Sequence, residues 1–93
     1  MDLSTDAVVH NSGENRFELT LNGHTAVLDY LLAGTTITFI HTGVPTGIEG
    51  RGIGSKLVRA GLEYARSQGL KVRTTCWFVR KYLRRHPEYQ DLM

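Results

Sequence analysis

Ninety-three residues, 41% of them hydrophobic and 22% charged, suit one globular domain over residues 1–93 and exclude a disordered chain or a second catalytic domain. The sequence opens without the basic and apolar segments of a signal peptide, and no apolar run is long enough to cross a bilayer, so we expect no membrane partner. The only cysteine, Cys76, excludes an internal disulfide and makes the cytoplasm the expected compartment.

The net charge of +2 conceals a difference between the two halves of the chain. Residues 1–47 carry one basic and five acidic side chains, whereas residues 48–93 carry ten basic and four acidic ones. A basic second half favours an anionic ligand, although a solvated basic face is the commoner explanation of such a charge run.

The first half of the chain has the pattern of an antiparallel sheet. Residues 7–10 predict a short strand, and residues 16–21 alternate polar and apolar side chains as a half-buried strand does. Asn22-Gly23 predicts a two-residue hairpin turn that returns the chain along residues 24–32. The β-branched and aromatic run 35–42 predicts a third strand of the meander.

The second half changes to a helical period at Gly52, with Gly69 as the expected stop. Residues 70–76 predict another strand, and residues 77–85 predict a last helix that ends before Pro87. We therefore expect an α/β (α+β) fold: an antiparallel meander, one βαβ crossover and a C-terminal helix.

Three glycines at alternate positions, Gly50, Gly52 and Gly54, lie between the meander and the crossover helix. Glycine lets the backbone approach an anion closely, and the first helical turn offers free N–H groups and a favourable dipole, so the pattern predicts a phosphate site. A tight turn with no ligand is the alternative. The order of elements argues against a dinucleotide fold, and the order Ser55-Lys56 argues against a P-loop.

This loop resembles the acetyl-CoA pyrophosphate loop of the GNAT superfamily of N-acetyltransferases. The sequence is similar to the short single-domain members of this superfamily from the Val44-Pro45 break to the His86-Pro87 tail. It implies a minimal GNAT-like fold. It also implies an enzyme that transfers an acetyl group from acetyl-CoA to an amine of unknown identity, on a small molecule or a protein. An acetyl-CoA sensor with little catalytic activity is the alternative.

The resemblance also implies which residues bind coenzyme A, in the cleft where two strands separate. Two positions depart from the family pattern. Glu49 stands where the family's loop has glutamine or arginine. Its carboxylate would repel a phosphate unless the side chain points outward and the Glu49 N–H binds the phosphate instead. Gly43 stands where relatives often carry a glutamate that acts as the base. The implied set is Thr42, Gly43, Val44, Glu49, Gly50, Arg51, Gly52, Ile53, Gly54, Ser55, Phe78 and Tyr82.

Two residues are the catalytic candidates. Cys76 lies between a strand and a helix, where its pKa is expected to be low, and it is either an acyl acceptor or pocket lining. His41 is the candidate base, although strict alternation puts it beside Ile37 and Phe39 and favours a core histidine.

Other polar residues are weaker candidates for the functional site. Tyr82 and Tyr89 are possible proton donors to a leaving thiolate, with packing the alternative for Tyr82. His10 and His24 are expected at strand ends or on the surface, and no metal spacing is present. A solvated face is the favoured explanation of the basic residues of the last helix; the coenzyme's 3′-phosphate is the alternative that the resemblance implies, and nucleic acid is an unlikely partner because no binding motif is present. They are Arg80, Lys81, Arg84 and Arg85.

Overall fold

A five-stranded sheet in the order β1-β2-β3-β4-β5 organises residues 7–93, the part of the chain that this computed structural model describes. The first four strands pair antiparallel in sequence order, and β5 pairs parallel with β4. The predicted α/β arrangement is therefore confirmed. The strands are β1 (Val9–Asn11), β2 (Arg16–Leu21), β3 (His24–Ala33), β4 (Thr36–Gly43) and β5 (Lys71–Thr74).

Helices α1 and α2 complete the fold in the described part of the chain, where 3₁₀ turns also occupy Ser12–Glu14, Thr46–Ile48 and Pro87–Leu92. Helix α1 (Ile53–Gln68) carries the chain from β4 to β5, and α2 (Trp77–Arg85) follows β5 directly. The predicted crossover and C-terminal helix are confirmed. Within residues 7–93 no helix is both long and apolar enough to span a membrane.

Local chain reversals follow the glycine and asparagine positions. Asn22 and Gly23 have φ values of 53° and 77°, as both central residues of a type I′ hairpin turn require. Helix α1 ends at Gly69, whose φ is 66°, and the N–H of Leu70 reaches back to the Ala65 carbonyl oxygen at 2.9 Å. The first strand lies slightly later than predicted, at Val9–Asn11 rather than residues 7–10.

The sheet buries one face only. Alternate side chains of the strands, such as Leu19, Leu28 and Phe39, are buried against the apolar stripe of α1. The opposite face is open to solvent and carries polar pairs such as Arg16 and Asp29, whose Nε and Oδ1 atoms lie 3.3 Å apart. Both helices therefore share one layer, and any site that they form lies on that side of the sheet.

Gly61 sets how closely α1 approaches the sheet. A Cβ at this position would lie 2.8 Å from the Phe39 ring, closer than real Cβ atoms come to a neighbour, and 3.1 Å from Leu28 Cδ2, which is a tight contact. Because glycine supplies no Cβ, the helix lies directly on the aromatic ring. This contact holds α1 against the middle of β3 and β4.

Strand β4 contains a bulge that sequence alternation did not predict. Asp29 pairs with His41, but the next residue, Tyr30, pairs with Phe39, so Ile40 is the extra residue. The bulge moves His41 off the buried face that Phe39 occupies, and His41 is exposed. The expectation that His41 is a core histidine is therefore wrong.

Strands β4 and β5 separate after a short parallel ladder. Their last pair is Phe39 with Thr74, and β4 then continues to Gly43 without a partner from β5. The Phe39 carbonyl oxygen accepts hydrogen bonds from the Thr74 hydroxyl at 2.8 Å and from the Thr75 N–H at 3.1 Å. These bonds end the ladder, and beyond them the two chains enclose a wedge.

Candidate functional site

Cys76 lies at the inner end of this wedge, as the N-cap residue of α2. Its sulfur lies 3.6 Å from the hydroxyl oxygen of Thr42 on β4, so the two residues meet across the gap between the strands. The Cys76 N–H donates to the Thr74 hydroxyl oxygen at 3.0 Å, which fixes the backbone where β5 becomes α2. A half-buried thiol is thus held at the point where the strands part.

The pKa of the Cys76 thiol lies below its ordinary value. Burial raises this pKa, but the backbone N–H groups of Val79 and Phe78 and the hydroxyl of Thr42 together outweigh burial, since each stabilises the thiolate. The predicted position and acidity of Cys76 agree with this geometry.

The loop that leads into α1 contains a second group of backbone N–H donors. Gly50 and Gly52 have φ values of 80° and 69°, and a Cβ on either would meet no atom within 4 Å, so open space lies in front of both. Gly52 is the N-cap and makes no side-chain capping bond, and the first helical bond runs from Lys56 N–H to the Gly52 carbonyl. The N–H groups of residues 52–55 therefore have no partner within the helix and point out of its end.

Gly54 has a different role from the two glycines before it. It is buried, and a Cβ there would lie 2.8 Å from the Phe78 ring. Glycine at this position lets the start of α1 pack against α2, and Ile53 beside it is also buried in the core. Only Gly50 and Gly52 of the alternating glycines face the open space.

A pocket of about 220 Å³ lies in front of this loop. Val44 from the end of β4 and Phe78 from α2 line its walls together with Ser55 and the glycine loop. Glu49 lines it as well, and its N–H donates to the Thr46 carbonyl oxygen at 3.3 Å. The Glu49 N–H therefore already has a backbone acceptor, whereas the amides of residues 52–55 have none within the helix.

The pocket continues along the gap between α1 and α2. A cavity of about 110 Å³ shares Ser55 and Phe78 with it, and another of about 350 Å³ shares Gly52 and Ser55. Both of these reach Tyr82 and His86. Cationic side chains make up much of their lining, and they are Arg51, Lys56, Arg59, Lys81 and Arg85.

His41 is on the other side of β4 from Cys76. Its ring lies beside Gly43, where a Cβ would be 3.0 Å from the histidine Nε2 atom and 3.6 Å from Val27 on the open face of the sheet. Thr42, the next residue, points the opposite way, towards the sulfur of Cys76. The structure therefore brings Thr42 and Cys76 together and leaves His41 facing the open side of the same strand.

The tyrosine candidates are held by other contacts. Tyr82 is buried and stacks on His86 with ring centroids 3.8 Å apart, and burial raises its pKa. Tyr89 donates its hydroxyl hydrogen to Glu63 Oε2 at 2.6 Å, so that proton is already engaged in a bond to α1. Tyr82 lines the groove, whereas Tyr89 belongs to the packing of the C-terminal segment.

Two histidines have structural positions. The sequence predicted His10 at a strand end or on the surface, but its ring packs against other aromatic side chains. It stacks on Phe17 with ring centroids 4.2 Å apart and forms a hydrogen bond with the Tyr30 hydroxyl at 2.6 Å. His86 donates from Nδ1 to the Tyr82 carbonyl oxygen at 2.8 Å, because that oxygen can only accept. Across residues 7–93 no three His, Cys, Asp or Glu side chains are grouped to hold a metal ion.

The comparison with protein families matches this geometry. Residues 16–92 match the family described as GCN5-related N-acetyl-transferase. The chain belongs to this family. The match spans strands β2 to β5, the glycine loop and both helices, and the resemblance seen in the sequence is confirmed.

Individual relatives and a solved structure agree with this assignment. The protein named NATD1 from Xenopus tropicalis is 36% identical over 92 residues, which cover 96% of this chain and 84% of that protein. NATD1 from Homo sapiens is 38% identical over 88 residues, covering 91% of this chain and 78% of that protein. The solution structure of a GCN5-like candidate N-acetyltransferase from Staphylococcus aureus superposes with a TM-score of 0.69 at 35% identity, covering 86% of this chain and 81% of that one.

Proposed function

We propose that this protein is an acetyl-CoA-dependent N-acetyltransferase that acetylates an amine approaching from the open face of the sheet. The observation that carries the proposal is the groove itself. It runs from Val44 and Phe78 beside the β4–β5 wedge, past the uncapped amides of α1, to a cationic end between the helices. Acetyl-CoA has the same order of parts: a thioester, a pyrophosphate and a further phosphate.

The residues of the groove fit this ligand on their own chemistry. Free N–H groups of residues 52–55 suit a pyrophosphate, because a helix N-terminus stabilises negative charge. Open space in front of Gly50 and Gly52 lets phosphate oxygens approach the backbone. Val44 and Phe78 supply apolar walls for the pantetheine arm between the loop and the wedge.

Acetyl-CoA supplies the acetyl group as a thioester. Peptide N–H groups of β4 beyond Phe39 have no ladder partner from β5, and such groups stabilise negative charge on a carbonyl oxygen. The acceptor nitrogen forms the new bond to the carbonyl carbon as the carbon–sulfur bond breaks. His41, on the open face, is placed to take the proton that the nitrogen loses, and solvent protonates the departing thiolate.

Cys76 is part of the pocket wall in this proposal. It contacts Thr42 on the helix side of β4, whereas His41 faces the other way, so the two do not form the hydrogen-bonded pair that activates a nucleophilic thiol. We therefore favour direct attack by the amine over an acetyl-cysteine relay.

A binding module with little catalysis is the second candidate function. Two observations favour it: Glu49 puts a carboxylate on the lining of the loop pocket, and Gly43 supplies no base on β4. This alternative keeps binding of acetyl-CoA and predicts no transfer to any amine. It differs from the leading proposal in turnover alone.

Calorimetric titration of acetyl-CoA is the first test, and Ser55→Asp is the matched variant. Ser55 is exposed on the first turn of α1, where an acidic residue stabilises a helix, so the fold should persist. The new carboxylate faces the pocket and should weaken binding by roughly tenfold or more through repulsion of the phosphates. Ser12→Asp, in the turn next to β1 at the far edge of the sheet, adds the same charge and should leave the affinity unchanged.

Acetyl transfer is then measured with polyamines, aminoglycosides and peptides that carry lysine or a free N-terminus. Turnover with any of them that Ser55→Asp reduces supports the enzyme. Tight binding without turnover across the whole panel supports the binding module instead. No measurable binding to the wild-type protein would exclude both.

A further inference from the structure

The cationic end of the groove has a charge arrangement that the pyrophosphate alone does not account for. The loop amides form one anion site at residues 52–55, and Arg51, Arg59 and Arg85 lie beyond it along the gap between the helices. We propose that this cationic end recognises the 3′-phosphate of coenzyme A, and so distinguishes coenzyme A from its 3′-dephospho form. This inference rests on the acetyl-CoA-dependent function proposed above.

Continuity of the groove supports a single ligand. Ser55 lines the loop pocket and both cavities beyond it, so the amide site and the cationic end adjoin at the first turn of α1. The loop pocket opens on one side to Val44 at the wedge, and Tyr82 and His86 form the floor at the other end. A ligand with its pyrophosphate at the loop and its thioester at the wedge must place its remaining part among the cations.

The cations at this end are available to a ligand. Among residues 7–93 the ion pairs involve Arg16 and Arg66, and none of the cations of the groove lies within 4.0 Å of a carboxylate oxygen of those residues. Among the residues that the structure describes, no acidic side chain lines either of the two cavities. Several like charges around a concave surface repel one another, and a bound phosphate relieves that repulsion.

Arg59 lines the groove next to its floor, which Tyr82 and His86 form. Its charge opposes the rise that burial gives to the pKa of Tyr82, whereas Glu88 and Glu63 add to that rise from outside the cavity lining. His86 gives its Nδ1 proton to the Tyr82 carbonyl, which fixes the orientation of its ring at the floor. Arginine is suited to phosphate because its planar guanidinium donates two parallel hydrogen bonds.

The basic residues of α2 do not all belong to this site. Lys81 and Arg85 line the groove, whereas Arg80 lines a separate cavity beside β5. Arg84 is exposed and lines neither. Adjacent arginines of one helix therefore provide a test residue, Arg85, and a matched control, Arg84, with the same charge and nearly the same sequence position.

The experiment compares the affinities of coenzyme A and 3′-dephospho-coenzyme A by calorimetry. We expect the wild-type protein to bind coenzyme A roughly tenfold or more tightly, because charge-assisted hydrogen bonds to a phosphate are lost in the dephospho form. Arg59→Gln and Arg85→Gln should weaken binding of coenzyme A and leave the dephospho form almost unaffected, so the ratio of affinities falls towards one. Arg84→Gln should keep the wild-type ratio.

Three outcomes contradict the inference in different ways. Equal wild-type affinities for the two ligands would overturn it and leave the acetyltransferase proposal standing. An equal fall of the ratio in Arg84→Gln and Arg85→Gln would show a general field of positive charge rather than a site. Failure of the wild-type protein to bind either ligand would remove the inference together with the proposed function.

Discussion

The hydroxyl oxygen of Thr42 and the sulfur of Cys76 lie 3.6 Å apart, across the point where β4 and β5 separate. One residue belongs to the meander and the other to the crossover, 34 positions later in the chain. Their contact links the end of the unpaired stretch of β4 to the start of α2. It also puts a hydrogen-bond donor beside a thiol whose pKa is already low.

Thr42→Val should raise the pKa of Cys76. Burial raises that pKa and several donors lower it, Thr42 among them, so removal of its hydroxyl shifts the balance towards the neutral thiol. The thiolate absorbance, followed as pH rises, should have its midpoint at a higher pH in the variant. Thr38→Val, earlier on β4 and opposite Arg73, is the control and should leave the midpoint in place. An unchanged midpoint in Thr42→Val would show that the α2 amides alone set the acidity.

Local sequence signals predicted most of the fold. Asn22-Gly23 requires positive φ at both positions, and Gly69 requires it at the end of α1, so each marks a turn without help from distant residues. The bulge at Ile40 gave no such signal, because nothing in residues 35–42 distinguishes a continuous strand from one that gains a residue against its partner. That single residue decides on which face His41 lies.

The site was predicted less completely than the fold, because its details depend on contacts between distant elements. Gly54 belongs to the glycine loop in sequence, but glycine is needed there because the Phe78 ring of α2 leaves no room for a Cβ. The four basic residues of α2 form one run in sequence, and only the packing of α2 on α1 directs Lys81 and Arg85 into the groove. Neither fact is available from spacing alone.

Cys76→Ala should retain acetyl transfer within about tenfold of the wild type, because direct attack by the amine needs no protein nucleophile. The affinity for acetyl-CoA should also change little, since the pocket keeps its amides and its cationic end. Initial rates with the best amine of the panel provide the measurement. Mass spectrometry of the wild-type protein after exposure to acetyl-CoA should find no acetyl group on Cys76.

An acetyl adduct on Cys76 that passes to added amine would contradict direct attack. Loss of nearly all transfer in both Cys76→Ala and Cys76→Ser, with acetyl-CoA affinity intact, would lead to the same conclusion. In that case the low pKa of the thiol would have a catalytic purpose, and Thr42→Val should slow the reaction at neutral pH by reducing the thiolate fraction.

His41→Gln should lower kcat/KM by roughly 100-fold, the lower range for removal of a general base, while acetyl-CoA affinity stays constant. The residue is exposed on the open face of β4 and away from the groove, so its loss affects the acceptor side alone. His24→Gln is the control, because the His24 ring packs beside Gly47 and not beside the wedge. A wild-type rate in His41→Gln would mean that the amine loses its proton to water.

Tyr89→Phe should destabilise the protein, and the loss should depend on pH. The Tyr89 hydroxyl donates to Glu63 at 2.6 Å, and burial followed by this bond raises its pKa from 10.0 to about 12. At neutral pH the variant should lose about 1–2 kcal/mol of unfolding free energy, as expected for a hydrogen bond to a charged acceptor. Urea denaturation of the two proteins measures the difference.

The sign of the pH effect follows from the raised pKa. Because folded Tyr89 holds its proton more tightly than the unfolded chain does, its contribution is complete below pH 10 and is lost as pH rises towards about 12. The gap in stability between wild type and Tyr89→Phe should therefore narrow over this range. Tyr30 and Tyr82, whose pKa values burial also raises, should leave an alkaline decline in both proteins. Equal stabilities of the two proteins at neutral pH would show that the aromatic ring of Tyr89, which Tyr89→Phe retains, anchors the C-terminal segment on α1 without the bond to Glu63, and a gap that stays constant with pH would contradict the raised pKa.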